Sequence, residues 1–141
     1  LWLKLASYLV AWGILRAAGF NRRDSLSILA VPLAAAIATV ALLRALAIPI
    51  SLFAAFGLLL ISAIGVDYAV YAKSGGAPAA IRYRGMLLAA LTTITSFGIL
   101  ALSATPAVAA FGATVAIGIA LSLTFATWLF PPTTKEPHGN P

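Results

Sequence analysis

Five long apolar segments, separated by short polar ones, make up most of the chain. They cover residues 1–18, 26–47, 51–73, 86–103 and 107–130. A helix needs about 20 predominantly apolar residues to cross the hydrocarbon core of a bilayer, and each segment is near that length. None of them alternates between apolar and polar positions, as the strands of a membrane barrel do. The pattern therefore predicts an all-α fold, a polytopic membrane bundle of about five transmembrane helices.

The polar residues between these segments carry signals that start and end helices. Asp24 or Ser25 is expected to cap the second helix, because its side-chain oxygen can accept a hydrogen bond from a free N–H group of the first turn. Pro32 lies near the start of this helix, where a kink is tolerable. Pro49 is expected to end the helix, since proline disfavours helical conformation in the residue before it. A flexible linker, 74–78, and a short basic stretch lead into the fourth segment.

Composition agrees with a membrane protein and excludes several functions. Apolar residues make up 62% of the chain and charged residues 9%, whereas soluble domains carry about 25% charged residues. The net charge of +6 does not indicate nucleic acid binding, because the basic residues lie between apolar segments and form no patch with aromatic residues. With no cysteine and one histidine, His138, a metal site is not expected. The lipid bilayer is the expected partner.

The basic residues are divided unequally between the two ends of the predicted helices. If five helices alternate in direction, seven basic residues share one side, namely Arg16, Arg22, Arg23, Lys73, Arg82, Arg84 and Lys135. Only Lys4 and Arg44 fall on the other side. Since lysine and arginine are enriched in cytoplasmic loops, the first side and the polar tail 131–141 are predicted to be cytoplasmic. The first helix then enters from outside, and we expect an upstream part of the protein to precede Leu1.

Small residues recur at every fourth position in the fifth segment, and two glycines at the same spacing, with an isoleucine between them, share one face of the third. Such rows allow membrane helices to approach each other closely. The third segment has Gly57, Ile61 and Gly65; the fifth has one row of Gly112, Ala116 and Ala120 and another of Gly118, Ser122 and Ala126. These rows predict a closely packed helical bundle.

Asp67 is the one acidic residue inside a predicted membrane segment. A charged side chain at the centre of a membrane helix costs about 2.5–3.5 kcal/mol on insertion scales, and such residues mark ion and proton pathways. Asp67 is therefore predicted to be a proton or ion site that faces a bundle interior or a water-filled cavity. The alternative is a protonated aspartate that holds two helices together through one hydrogen bond.

Several hydroxyl groups are candidates to support this carboxylate. Tyr68 follows Asp67, and because neighbouring residues of a helix point in different directions, its phenol is expected to reach a second helix. Tyr71 lies one turn below Asp67 on the same face, although a place in the aromatic belt at the membrane interface explains it equally well. The fourth segment has a hydroxyl face made of Thr92, Thr93 and Ser96. These hydroxyls either approach the carboxylate or bond to carbonyl groups of their own helix.

Several motifs together resemble one transporter family in their order and spacing. The most specific is AIGVDYA at 63–69, which is followed by LTTITSFG at 91–98 and by SATP at 103–106. AFG at 110–112 and IPISLF at 48–53 extend the match. These segments resemble the aspartate helix, its entry and the two following helices of MMPL-type transporters. That family belongs to the resistance–nodulation–division (RND) superfamily of proton-driven exporters.

The resemblance covers about residues 49–130 and implies the C-terminal transmembrane half of an exporter in a bacterial inner membrane. It implies that Asp67 and Tyr68 form a proton relay with the corresponding pair of the N-terminal half, which would be a partner missing from this sequence. The proton motive force would supply the energy, and no bound cofactor is implied. The nearest likeness is to predicted exporters encoded with fatty-acid or aryl-polyene biosynthesis, so a lipid-like or other hydrophobic cargo is expected.

Other classes of protein remain open. A protein-export subunit or a sterol-sensing protein of the same superfamily would share the helices, although the Asp-Tyr pair and the Ser-x-Thr-Pro turn favour the MMPL branch. A membrane scaffold would not need a titrating Asp67. An intramembrane aspartyl protease needs two aspartates that share one proton, and the predicted spans contain one. We therefore do not expect an enzyme.

Overall fold

The computed structural model describes residues 2–17, 19, 21–73 and 78–131, and these residues form five α-helices. The helices are α1 (Trp2–Ala17), α2 (Arg22–Ala45), α3 (Leu52–Lys73), α4 (Ala79–Ala101) and α5 (Pro106–Leu129). The described residues contain no strand, so the prediction of an all-α bundle is confirmed. Helices α2 to α5 are long and apolar enough to cross a membrane. Helix α1 has 16 residues, fewer than the usual 20 or so, and its role as a fifth span stays a prediction.

Two of the helices begin earlier than the sequence predicts. Helix α2 starts at Arg22, so Asp24 lies within its first turn and Asn21 occupies the capping position without a side-chain bond. The predicted caps are therefore wrong. The helix extends to Arg22 because arginine is a good helix former, and the Asp24 carboxylate in the first turn is stabilised by the positive end of the helix dipole. Helix α4 starts at Ala79 and includes the basic stretch. Of the predicted linker and tail, only Pro78 and Pro131 belong to the described residues.

The predicted break after α2 is present, and it is formed by a left-handed residue. Ala47 has φ 54°. The N–H group of Ile48 donates to the Leu43 carbonyl at 2.9 Å, and that of Ala47 donates to the Arg44 carbonyl at 3.1 Å. This pair of bonds is a Schellman motif, in which glycine is the usual left-handed residue. The chain then turns into α3 through residues 48–51, which are not helical.

Helices α3 and α5 are joined by a row of close contacts, here named the glycine seam. Its three contacts are Gly57 with Thr114, Ile61 with Gly118, and Gly65 with Ser122. A Cβ atom on Gly57 would lie 3.0 Å from Thr114 Cγ2, and one on Gly65 would lie 3.3 Å from Ser122 Oγ. The contacts advance along both helices in the same direction, so α3 and α5 run parallel. The predicted glycine face of α3 and one of the two predicted rows of small residues in α5 are thus confirmed as packing surfaces.

The other predicted row of α5, which contains Gly112, and the proline of α2 pack differently. Gly112 is buried against the end of α4, where an added Cβ would lie 2.6 Å from the Phe97 carbonyl oxygen. Ala120, in the same row, lies on the outer surface. Pro32 does not end α2 but is buried, and its Cα would lie 3.1 Å from a Cβ on Gly65. Gly65 is therefore the point at which α2, α3 and α5 meet.

The two ends of the bundle differ in charge. The ends of α1, α3 and α5 and the starts of α2 and α4 lie together, and we call this the basic end; its described basic residues are Arg16, Arg22, Arg23, Lys73, Arg82 and Arg84. The Lys73 ammonium donates to the Asp24 carboxylate and lies 5.5 Å from the centre of the Phe130 ring. These contacts join α2 and α3 to the residue that follows α5. Large apolar side chains cover the outer surface, among them Trp2, Leu26, Ile37, Leu52, Leu88 and Trp128.

Candidate functional site

Asp67 lies on the outer surface of the five-helix bundle. It follows Gly65 by two residues, which is a rotation of about 200° around a helix of 3.6 residues per turn. Because Gly65 is in the glycine seam, Asp67 points away from α2 and α5. Within the described part of the chain, its carboxylate forms no hydrogen bond and no ion pair. The five helices alone therefore do not enclose Asp67 in a bundle interior.

Two open cavities meet at Asp67, one on each side of α3. The first, here named the α3–α4 cavity, has a volume of about 330 Å³ and is lined by Asp67, Tyr68, Tyr71, Gly85, Met86 and Ala89. The second, the α1–α3 groove, has a volume of about 610 Å³ and is mostly apolar. At this groove, the Tyr8 hydroxyl donates to Ser62 Oγ at 3.3 Å. The carboxylate thus lies between a cavity whose lining includes polar side chains and a groove whose lining is mostly apolar.

Tyr68 is buried, with 7% of its surface exposed, although its neighbour Asp67 is not. Its ring belongs to the apolar core that contains Met86 of α4 and Ile119 of α5. It nevertheless lines the same α3–α4 cavity as the carboxylate. The Asp-Tyr pair therefore combines an exposed acid with a phenol that is fixed by packing.

Tyr71 lines the same cavity one turn nearer to the basic end. Its hydroxyl would lie 3.6 Å from a Cβ atom on Gly85, an ordinary van der Waals distance, so the phenol lies next to Gly85 of α4. The sequence allowed an interfacial position or a position near Asp67. Tyr71 is exposed and shares a cavity with Asp67, and its place in an interfacial belt stays a prediction.

The three hydroxyl residues of α4 bond to their own helix. Thr92, Thr93 and Ser96 each donate to the carbonyl oxygen four residues earlier, at 2.9 Å in all three cases. None of them lines the α3–α4 cavity, which α4 contacts one turn closer to the basic end. Their geometry is that of back-bonding, and a role in supporting Asp67 stays a prediction.

Gly85, Met86 and Ala89 are members of this cavity that the sequence did not single out. These residues could have been predicted from the hairpin that α3 and α4 form, because the two helices are antiparallel and joined by a short linker. Residues a similar distance from that linker face each other, so Asp67, six residues before the end of α3, is level with Gly85, six residues after the start of α4. The predicted start of the fourth helix at residue 86 concealed this pairing, since it left Gly85 outside the helix.

The apolar helices and the apolar outer surface define the class of this protein. Four helices are able to cross a membrane, and they carry large exposed apolar side chains. The chain is a helical, multi-pass membrane protein. No family model matches its sequence, no curated protein matches it, and no solved structure matches it.

Proposed function

We propose that this chain is the C-terminal transmembrane half of a proton-driven exporter of the MMPL branch of the RND superfamily. The protein would lie in a bacterial inner membrane with its basic end facing the cytoplasm. Its cargo would be lipid-like or otherwise hydrophobic. The proposal depends on one observation above all: Asp67 is an ionisable group on an apolar helix, and it lies outside the packed core without a partner among the described residues.

An unpaired carboxylate that faces lipid is costly, at about 2.5–3.5 kcal/mol on insertion scales. A second transmembrane unit placed against α1 and α3 would remove Asp67 from lipid and fill the α1–α3 groove. The partner we propose is the other half of the same transporter, which would present its own Asp-Tyr pair to Asp67. The border position of the carboxylate between two cavities supports this arrangement.

A proton relay at this position would work by changing the charge of Asp67. When protonated, the carboxyl group is neutral and can donate a hydrogen bond to an acceptor on the facing half. When it has released the proton, it is an anion that accepts hydrogen bonds only and favours water or a cation. The Tyr68 hydroxyl, which belongs to a residue lining the same cavity, would donate to an acceptor on the facing half. Taking up the proton on one side of the membrane and releasing it on the other would couple the two packing states to transport.

The test is the export rate of the full-length transporter carrying Asp67→Asn. Asparagine keeps the size of the side chain but cannot change its charge, so we expect export to be abolished while membrane insertion is retained. Tyr68→Phe should give a partial loss, since it removes one hydroxyl group. Thr93→Ala should have the smallest effect, because its hydroxyl bonds to its own helix.

The matched control is Asp24→Asn, which also replaces an acidic residue, but at the basic end and away from the cavities. Export is measured at a fixed proton gradient and normalised to inserted protein. Asp24→Asn should retain transport if the effect of Asp67→Asn is specific to its position. Near-normal export by Asp67→Asn would refute the relay and would favour the alternative in which Asp67 is a packing residue that holds two helices together through a hydrogen bond.

A further inference from the structure

The outer face of α2 carries a row of large apolar side chains between two arginines. Leu26, Leu33 and Ile37 are 62%, 50% and 64% exposed, and we name these three residues the α2 stripe. They follow Arg22 by about one, three and four turns, so they share its face of the helix. Arg44 continues this face at the other end of α2. The two arginines are roughly 33 Å apart along the axis, close to the thickness of about 30 Å of the hydrocarbon core. The α2 stripe therefore has the length and composition of a surface that faces lipid.

The α2 stripe lies on a different side of the bundle from the candidate proton site. Asp67 points away from α2, because the rotation that places Gly65 against Pro32 turns the carboxylate to the opposite face of α3. A transmembrane unit that covers the carboxylate therefore leaves the α2 stripe to the lipid.

Three arginines lie beside the basic end of the α2 stripe, and we name them the arginine cluster. Arg22 and Arg23 form the start of α2, Arg16 belongs to the last turn of α1, and all three are exposed. The one acidic residue of these two helices is Asp24, and its carboxylate binds the Lys73 ammonium. The turn between α1 and α2 therefore presents a net positive charge at the membrane surface.

The spacing between the arginine cluster and the stripe fits one phospholipid molecule. Leu33 lies roughly 16 Å from Arg22 along the helix axis, and one leaflet of the hydrocarbon core is roughly 15 Å thick. Arg22 therefore lies at the level of the headgroup phosphate, and Leu26 and Leu33 lie at the level of the acyl chains. Arginine suits this position because its guanidinium can donate two parallel hydrogen bonds to the oxygens of one phosphate.

We propose that the arginine cluster and the α2 stripe together bind an anionic phospholipid of the leaflet at the basic end. Arg22 and Arg23 donate hydrogen bonds to its phosphate, Arg16 adds positive charge, and one acyl chain lies along Leu26 and Leu33. Charge selects this occupant, because basic clusters at the ends of membrane helices attract anionic lipids, whereas a zwitterionic headgroup also brings a cationic group. The inference goes beyond the proposed exporter, since it involves neither the proton site nor the direction of transport.

Trp12 is a natural reporter at this surface. It is 39% exposed, lies one turn from Arg16 and is at about the same depth as Leu26 on the neighbouring helix. In the full-length protein, every other tryptophan, including Trp2 and Trp128, is replaced by phenylalanine. The protein is placed in nanodiscs of phosphatidylcholine and phosphatidylglycerol, with bromine on the acyl chains of one lipid at a time. Bromine quenches a neighbouring indole, so the quenching measures which lipid lies next to Trp12.

We expect phosphatidylglycerol to be preferred over phosphatidylcholine at Trp12 by roughly fivefold or more, because one basic residue near an anionic membrane surface is sufficient for about that factor. Arg22→Gln combined with Arg23→Gln should reduce the preference to less than about twofold, since glutamine keeps the helix propensity but has no charge.

The matched control is Arg82→Gln combined with Arg84→Gln, which removes the same charge from the same end of the bundle but at α4. This control should leave the preference within about twofold of the wild type, since α4 packs against α5 and α3 and charges farther apart than about 10 Å are screened by salt.

Equal association of the two lipids at Trp12 would overturn the site. The same loss of preference in both double variants would also overturn it, because overall charge and not the arginine cluster would then select the lipid. Weak quenching by both lipids would show that protein covers this surface and would contradict the proposal. Each variant is compared at equal helix content and equal monodispersity, so that a misfolded protein does not enter the comparison. The outcome is separate from that of Asp67→Asn, since export measures the relay and quenching measures the lipid.

Discussion

Substitution of Gly118 provides the most direct test of how α3 and α5 pack. The Ile61 side chain occupies the space next to Gly118, so a Cβ atom there would overlap it. Overpacking of this kind costs about 1–3 kcal/mol, whereas replacing a helical glycine with alanine favours the helix by about 1 kcal/mol. Gly118→Ala should therefore range from nearly neutral to about 2 kcal/mol less stable than the wild type.

Gly98→Ala is the matched control, because a Cβ atom at Gly98 would have no neighbour within 4 Å. This variant should be about 1 kcal/mol more stable, which leaves a difference of about 1–3 kcal/mol between the two variants. The assay is reversible unfolding in mixed micelles, followed by circular dichroism. Combining Gly118→Ala with Ile61→Val should recover part of the loss, since neighbouring substitutions are not additive. Equal stability of Gly118→Ala and Gly98→Ala would refute the glycine seam.

Three further predictions concern the ends of the helices. Ala47→Gly should stabilise the protein by about 1 kcal/mol, because alanine is disfavoured at positive φ, and the same unfolding assay measures this; a loss of stability would contradict the left-handed turn. Lys73→Met should destabilise the protein by about 1 kcal/mol, since it removes a partly exposed ion pair with Asp24 and a cation–π contact, and Asp24→Asn should then add little to the loss. Reporter fusions at Gly75 should indicate the cytoplasm and those at Ile48 the outside, and the opposite result would overturn the proposed orientation.

The helices were predictable because their signal is local. Runs of apolar residues near 20 in length identify α2, α3 and α5 within a few residues, since the bilayer imposes that length on any spanning helix. The start of α4 was not predictable in the same way. Arg82 and Arg84 resemble a loop in composition, yet the helix includes them, because long basic side chains can extend to the interface while their backbone stays helical.

The candidate site was selected from its chemistry, and its geometry was only partly predictable. An aspartate in an apolar segment is unusual enough to make Asp67 a candidate from sequence alone. Its position on the outer surface depends on which face of α3 packs against α5, and the many small residues of α3 left that choice open. Gly57 and Gly65 define the packed face only once their partners in α5 are known. The cavity residues Gly85 and Met86 depended in turn on the start of α4.

The glycine seam also restricts how α3 is able to move. Ile61 fills the gap at Gly118, and the positions one helical turn away in α5, Thr114 and Ser122, carry side chains that leave no such gap. A shift smaller than one turn would place Ile61 against bulkier neighbours, so small displacements are opposed by steric overlap. A shift by a full turn, about 5.4 Å, would place Ile61 against Thr114 or Ser122 and is opposed in the same way. Movements of Asp67 along the helix axis must therefore carry α5 along with α3.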